Sequence, residues 1–268
     1  MDLSRVGLST FLFPGMNLPK WLELARELGL GGVELRADPL CAYPPELAVS
    51  ERSRLRHQAQ ELGLWLTVHA PIYDVNFTST NPALAAASLG EVAASLDLAH
   101  DVGADLVVLH PGHVHEDYAQ LDGAVEAAWQ RMMFCLELLL AKVEGTSVRL
   151  ALENKQRARV RDLVLTWEEH RRVLDALPAL GACLDLGHLF TVNGDFRPYL
   201  QALEGRLIHV HLHDNQGERD EHLGLGRGSV PWLAFLGELD RVGYRGRLVL
   251  EIPDPEALRA SVRLIAQV

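Results

Sequence analysis

Six residues able to ligate a metal or move a proton each stand at the downstream end of a short apolar run. His69 follows Leu64–Val68, His110 follows Leu106–Leu109 and Glu153 follows Val148–Leu152. Asp185 follows Gly181–Leu184, His211 follows Leu207–Val210 and Glu251 follows Leu248–Leu250. Imidazoles and carboxylates are donors that suit Zn²⁺ or Mn²⁺. In a parallel sheet, side chains leaving the carboxyl ends of successive strands converge on one crevice. The recurrence predicts a metal site.

The local motifs sharpen that expectation. In His69-Ala70-Pro71 and His110-Pro111-Gly112, the proline turns the chain out of the sheet and leaves the imidazole at the rim. The alternative is a histidine satisfied by a neighbouring carbonyl. Glu153 ends the run Val148–Leu152, which holds four apolar residues, so its carboxylate needs a cation, a metal or a raised pKa. Glu251 has the same context. Two such glutamates across one mouth can share an ion and serve as acid and base on either side of a substrate. In Asp185-Leu186-Gly187-His188 the turn folds the chain back, so aspartate and histidine point into one pocket.

The longest signature is His209-Val210-His211-Leu212-His213-Asp214-Asn215, followed by Asp220-Glu221-His222 and the turn Gly224-Leu225-Gly226-Arg227-Gly228. Alternation along a strand sends His209, His211 and His213 to one face. Asp220 and His222 then sit in a loop that returns over the same mouth. Glu34, ending the second strand, either faces substrate or pairs with Arg36. The basic run Lys155-Gln156-Arg157-Ala158-Arg159-Val160-Arg161 is either a solvated loop or a phosphate-holding one. Lys155, Arg157 and Arg227 join Glu34 as candidate substrate-binding residues.

The elements that must position these groups repeat along the chain as amphipathic helix, glycine and short apolar strand. Gly29, Gly63, Gly103, Gly145, Gly205 and Gly243 each follow a helical stretch, where glycine supplies the left-handed cap. The strands read as 6–9, 32–35, 64–68, 106–109, 148–152, 181–184, 207–210 and 247–250. Between them, stretches such as 84–100 and 124–143 carry apolar residues at helical spacing. Eight strand–helix units in this length predict an α/β fold: a (β/α)₈ TIM barrel, one domain over 1–268. The doubly wound competitor often has a glycine-rich loop after its first strand, and Ser9-Thr10-Phe11-Leu12 supplies none.

Bulk properties narrow the function classes. The net charge of −11 argues against a general nucleic-acid coat, though not against an enzyme with a basic groove. Three cysteines without CxxC spacing indicate neither a disulfide framework nor a cysteine zinc site. With no signal-like N-terminus and no bilayer-length apolar run, the expected setting is cytoplasmic, with no membrane partner.

Together these motifs resemble the xylose isomerase-like TIM-barrel superfamily, which holds sugar and sugar-phosphate isomerases and epimerases and also endonuclease IV. The resemblance covers nearly the whole chain. In endonuclease IV-like proteins a three-zinc cluster is held by nine side chains. The matching positions are His69, His110, Glu153, Asp185, His188, His211, Asp220, His222 and Glu251, each of the required type. Other motifs depart from that branch. Ile72 stands where it carries a tyrosine, and Tyr73, one position on, is expected to aim elsewhere. Glu153-Asn154-Lys155 replaces Glu-Asn-Thr, and Asp185-Leu186-Gly187-His188 replaces Asp-Thr-Cys-His. The stretches His211–Asn215 and Asn76–Pro82 look instead like the sugar-isomerase branch.

The resemblance therefore implies a divalent-metal-dependent sugar or sugar-phosphate isomerase/epimerase with one to three Mn²⁺ or Zn²⁺ ions. Glu153 and Glu251 would move a proton through an enediolate, and His188 would orient a hydroxyl. The alternative is a zinc-dependent abasic-site phosphodiesterase acting on DNA. A non-catalytic metal- or sugar-binding barrel is a third class, disfavoured by the complete ligand set.

Overall fold

Near-continuous apolar strands bury both faces when helices cover a parallel sheet, as in a closed barrel. The computed structural model, which describes residues 1–268, has that arrangement. Eight strands form the barrel: β1 (Val6–Ser9), β2 (Gly32–Arg36), β3 (Trp65–His69), β4 (Leu106–Leu109), β5 (Arg149–Glu153), β6 (Gly181–Asp185), β7 (Leu207–Leu212) and β8 (Arg247–Leu250). Each is parallel to its neighbours in chain order, and β8 closes on β1 through Val6 beside Leu248.

All eight strands expected from the sequence are present. Several run one or two residues further, taking His69, Glu153, Asp185 and His211 into the ladder. A polar side chain at the rim does not interrupt backbone pairing, so these residues are held by the sheet. The six helix-ending glycines all have φ between 68° and 77°. The long helices span Pro82–Val102 and Ala124–Val143.

One cluster of 64 buried apolar residues fills the space between strands and helices, and its continuity makes this a single domain. The barrel interior differs. Its apolar part is Leu106, Val108, Ala151 and Cys183, with Ile208 packed against them. Below, the Trp65 indole lies so close to β1 and β2 that a Cβ at Gly7 or Gly32 would overlap it. Glycine there admits the ring that closes the floor.

Two short strands, His113–Val114 and Arg161–Asp162, pair antiparallel and tie the loops after β4 and β5 together. The sequence reading missed them, because two residues carry no periodicity. No helix is long and apolar enough to cross a membrane.

Candidate metal centre

Polar side chains at the carboxyl ends of β3 to β8 meet in one pocket. Glu153, fully buried at the end of β5, lies at its middle. Its Oε1 is 2.8 Å from His211 Nδ1 and 3.7 Å from His188 Nδ1. Its Oε2 is 2.7 Å from His110 Nε2 and 3.5 Å from His69 Nε2. His211 Nδ1 also lies 3.7 Å from Glu251 Oε1 and 3.9 Å from Asp185 Oδ2. On the outer side, Asp220 Oδ2 is 3.2 Å from His188 Nε2 and 3.1 Å from His222 Nε2. All nine expected residues therefore converge.

The loop that carries Asp220 and His222 returns over the mouth because Asp214 pins it. Asp214 pairs with Leu223 through an antiparallel bridge, and its carboxylate accepts the N–H groups of Asn215, Gly226 and Val230. Asn154 clamps β5 to β6, accepting the Asp185 N–H at 2.8 Å and donating to the Asp185 carbonyl at 3.0 Å. Neither role was legible from sequence, since both depend on backbone groups of distant segments.

The donor set fits a divalent cation. Glu153 Oε2, Asp185 Oδ2, Asp220 Oδ1 and His213 Nε2 are buried without a hydrogen-bond partner, although polar atoms crowd them. Buried polar groups are ordinarily satisfied, so close but misaligned donors call for an ion between them. The triads His69–His110–Glu153, His69–His211–Glu251 and Asp185–His188–His213 each bring three donor atoms within 4.8 Å of one another. Cys183 forms a further such triad with Glu153 and His211, and burial pushes its thiol well up in the metal-free site.

Electrostatics follow the same pattern. Burial alone would raise Glu153, but His211, His110 and His188 hold it well below the usual carboxylate range. Burial would raise Asp185 too, yet His188 and His213 bring it to about 2. Burial would lower His188, but Asp185 chiefly, with Asp220, lifts it to about 9. His110 is the exception: burial and then Lys155 push it well down.

The other expected residues divide. Glu34 does not reach the mouth and does not pair with Arg36. It is fully buried beneath the rim, its Oε2 2.9 Å from His209 Nε2 and accepting Thr67 Oγ1 at 2.9 Å, its Oε1 3.0 Å from His211 Nε2. The expectation of substrate contact is corrected to a place behind His211, because β2 alternation turns residue 34 inward one layer below the rim. Arg36 instead pairs with Asp38 at 3.0 Å. Lys155 is buried with its ammonium at His110, whereas the side chains of Arg157 and Arg227 are exposed and do not touch the cluster.

The Tyr73 ring lies 5.2 Å from the Arg36 guanidinium, with Phe11 on Arg36 at 4.7 Å. His213, buried 3.2 Å from Asp185 Oδ1 and 3.3 Å from Asp220 Oδ1, is a further donor. The alternation of the β7 histidines had already put it on that face.

Comparison with known proteins places this geometry. The family model for xylose isomerase-like TIM barrels matches residues 22–268. An uncharacterised Methanocaldococcus jannaschii protein is 30% identical over 240 residues, 89% of this chain and 88% of its own. A probable endonuclease 4 of Mycoplasma pneumoniae is 25% identical over 223 residues, 76% and 71% of the two chains. Among solved structures, a D-tagatose 3-epimerase-like protein superposes with a TM-score of 0.83 at 23% identity, covering 98% of this chain and 96% of that one. A Thermus thermophilus protein soaked with zinc chloride has a TM-score of 0.73 at 28% identity, covering 100% and 98%.

Proposed function

The chain belongs to the xylose isomerase-like TIM-barrel family, and on that footing we propose that it is a divalent-metal-dependent sugar or sugar-phosphate epimerase or isomerase. The observation that carries the reading is the approach of Glu153, Asp185 and Glu251 to His211 Nδ1, all within 3.9 Å. These four would hold a Mn²⁺ or Zn²⁺ ion. When bound, such an ion polarises a carbonyl and an adjacent hydroxyl.

The chain's own groups do the rest. The carboxylate of Glu251 removes the proton from the carbon beside the carbonyl, leaving an enediolate. Glu153, from the other side of the mouth, would enter the step carrying a proton taken up from solvent and give it to the opposite face for epimerisation or to the neighbouring carbon for isomerisation. Glu153 then ends ionised and Glu251 protonated until solvent resets both after product leaves. His188, whose Nδ1 is fixed by the Asn154 carbonyl at 2.9 Å, orients a substrate hydroxyl. Burial of both glutamates keeps bulk water from the enediolate during the step, so solvent hydrogen enters the product through the proton that Glu153 takes up between turnovers. Lys155, Arg157 and Arg227 form the basic side for a phosphorylated substrate. The three cysteines are all free, as a reducing cytoplasm would leave them.

The full-length match to the D-tagatose 3-epimerase-like fold supports this reading, as do the acidic balance and the departures from the endonuclease motifs. The test is deuterium exchange. Protein loaded with Mn²⁺ or Co²⁺ is incubated with ketoses and their phosphates in D₂O and followed by NMR. Label entering the carbon beside the carbonyl, lost in Glu251→Gln, is expected. No exchange across the ketose panel overturns the reading.

A second reading has its own support. His69, His110, Asp220 and His222 complete a nine-residue set beyond what one ion needs, and relatives include probable endonuclease 4 proteins. Under it, three zinc ions serve hydrolysis of DNA at an abasic site. Cleavage of an abasic-site duplex by zinc-loaded protein, without ketose turnover, would favour it.

A further inference from the structure

Five imidazoles belong to the ligand set, and three of them are braced alike. His69 Nδ1 lies 2.7 Å from the Ala70 carbonyl, His188 Nδ1 2.9 Å from that of Asn154, and His222 Nδ1 2.9 Å from that of Glu251. In each of these rings, one nitrogen faces an acceptor that claims its N–H, leaving the other lone pair turned to the cluster. His211 Nε2 lies 3.0 Å from Glu34 Oε1, out of line for a hydrogen bond.

His110 has no such acceptor. Its neighbour is Lys155, with Nζ 3.2 Å from both ring nitrogens. An ammonium donates and never accepts. Equal distances set it over the ring, since an in-plane approach that close to both nitrogens would collide with Cε1. Lys155 is 5% exposed, its backbone N–H is held by the Val164 carbonyl at 3.0 Å, and no carboxylate lies within 4.0 Å of its ammonium. The positive charge is therefore built in beside His110 and uncompensated by a direct ion pair.

We propose that Lys155 makes the metal position formed by His69, His110 and Glu153 the weak one of the cluster. The inference rests on the metal-dependent reading above with more than one ion held by the nine-residue set. A second cation placed there meets a like charge in a buried site, where repulsion is poorly screened. It also meets an imidazole whose tautomer no acceptor fixes. The Glu153–Asp185–His211–Glu251 position has no such neighbour, and the His188–Asp220–His222 position has both imidazoles braced by carbonyls. The cluster thus loads unequally, and His110 with Lys155 remains available to a substrate oxygen whenever that position is empty.

The experiment is zinc retention by the full-length protein. Zinc-loaded samples are dialysed against graded chelator, and bound zinc is counted by mass spectrometry. One ion per chain is expected to leave at a chelator strength at least tenfold below that which removes the others. Lys155→Met should close that gap, Lys155→Arg, which keeps the charge, should preserve it, and His110→Gln should delete the easily lost ion alone. All ions leaving together from the unaltered protein overturns the inference, as does a gap unchanged in Lys155→Met. Should Lys155→Met fail to fold, the unaltered protein and His110→Gln still decide. Zinc absent at every strength fells the metal reading itself, whereas firm ions with no gap fell only the role of Lys155.

Discussion

Two sets of histidines, both sealed from solvent, behave oppositely in this molecule. His170 sits in the helix Trp167–Ala176 with its Nδ1 3.0 Å from the Tyr199 hydroxyl, and burial lowers its pKa to about 4. His188 and His213 at the rim are just as buried, yet stand at about 9 and about 10. Burial acts on all three in the same sense, disfavouring the imidazolium. The difference is the carboxylates: Asp185 and Asp220 face the rim pair, while none hydrogen-bonds or ion-pairs with His170. The helix layer is thus made for a neutral ring, and the rim is a dense set of acids that holds protons where a cation fits. Metal binding there must displace those protons.

The most severe way to break the contrast is at Glu153, which serves both the inner and the His69–His110 positions. Glu153→Gln should lower turnover by about 10³-fold or more and reduce bound metal, with the circular dichroism spectrum unchanged. Near-parental turnover would remove Glu153 from the chemistry.

Protons give the next largest effect. The folded pKa of His170 lies below its unfolded value of 6.5, so the unfolded chain binds the extra proton and stability falls as pH drops from 6.5 towards 4. A shift of this size corresponds to roughly 3 kcal/mol at the acid end. His188 runs the other way. Its raised pKa contributes stability to the metal-free protein that is full below 6.5 and is lost as pH rises through about 9. Chemical denaturation of metal-free protein across both windows should show each slope. His170→Gln should flatten only the acid one, and an unchanged acid slope would contradict the assignment.

A subtler change separates the rim from the layer below it. Glu34→Gln keeps the shape but weakens the acceptor facing His211 Nε2, and metal affinity should fall about ten- to a hundredfold. The fluorescence of a competing zinc indicator would measure this. If Glu34 instead contacted substrate, KM would change at constant metal affinity.

The rim was legible in the sequence and the layer beneath it was not, for a physical reason. A polar residue ending an apolar run is visible because the run must be a buried strand, which leaves its end at the mouth. His69, Glu153, Asp185 and Glu251 announce themselves in this way, as do the capping glycines. Glu34 lies in Gly32–Arg36 two residues before Arg36 and on the same face of the strand, so nothing local says which of the two stands at the rim and which a layer below. Its place follows only from barrel closure, which brings β2 opposite His209 and His211 on β7. Asn154 and Asp214 were hidden likewise, because their partners are backbone groups of remote segments. Past Pro71 strand alternation no longer applies, and the Ile72 and Tyr73 N–H groups turn to the Asp38 carboxylate.

The faintest effect lies where the rim meets solvent. Arg157 is anchored through its backbone N–H to Thr191 Oγ1 at 2.8 Å, and Arg227 through its backbone to the Gly224 carbonyl at 3.0 Å. Both guanidinium groups are exposed and lack a carboxylate partner, whereas Arg159 is tied to Glu116 at 3.2 Å. An exposed charge acts through screened attraction, about 0.2–1 kcal/mol, or at most roughly fivefold in affinity. Arg157→Ala and Arg227→Ala should therefore raise KM for a phosphorylated ketose by that factor at low salt. Neutral sugars and kcat should be untouched, and the difference should vanish at high ionic strength. Arg159→Ala serves as the control, because its charge is already answered by Glu116. An equal rise for neutral and phosphorylated substrates would mean that these loops shape the mouth sterically, leaving the acids and imidazoles of the cluster as the only charges that select the substrate.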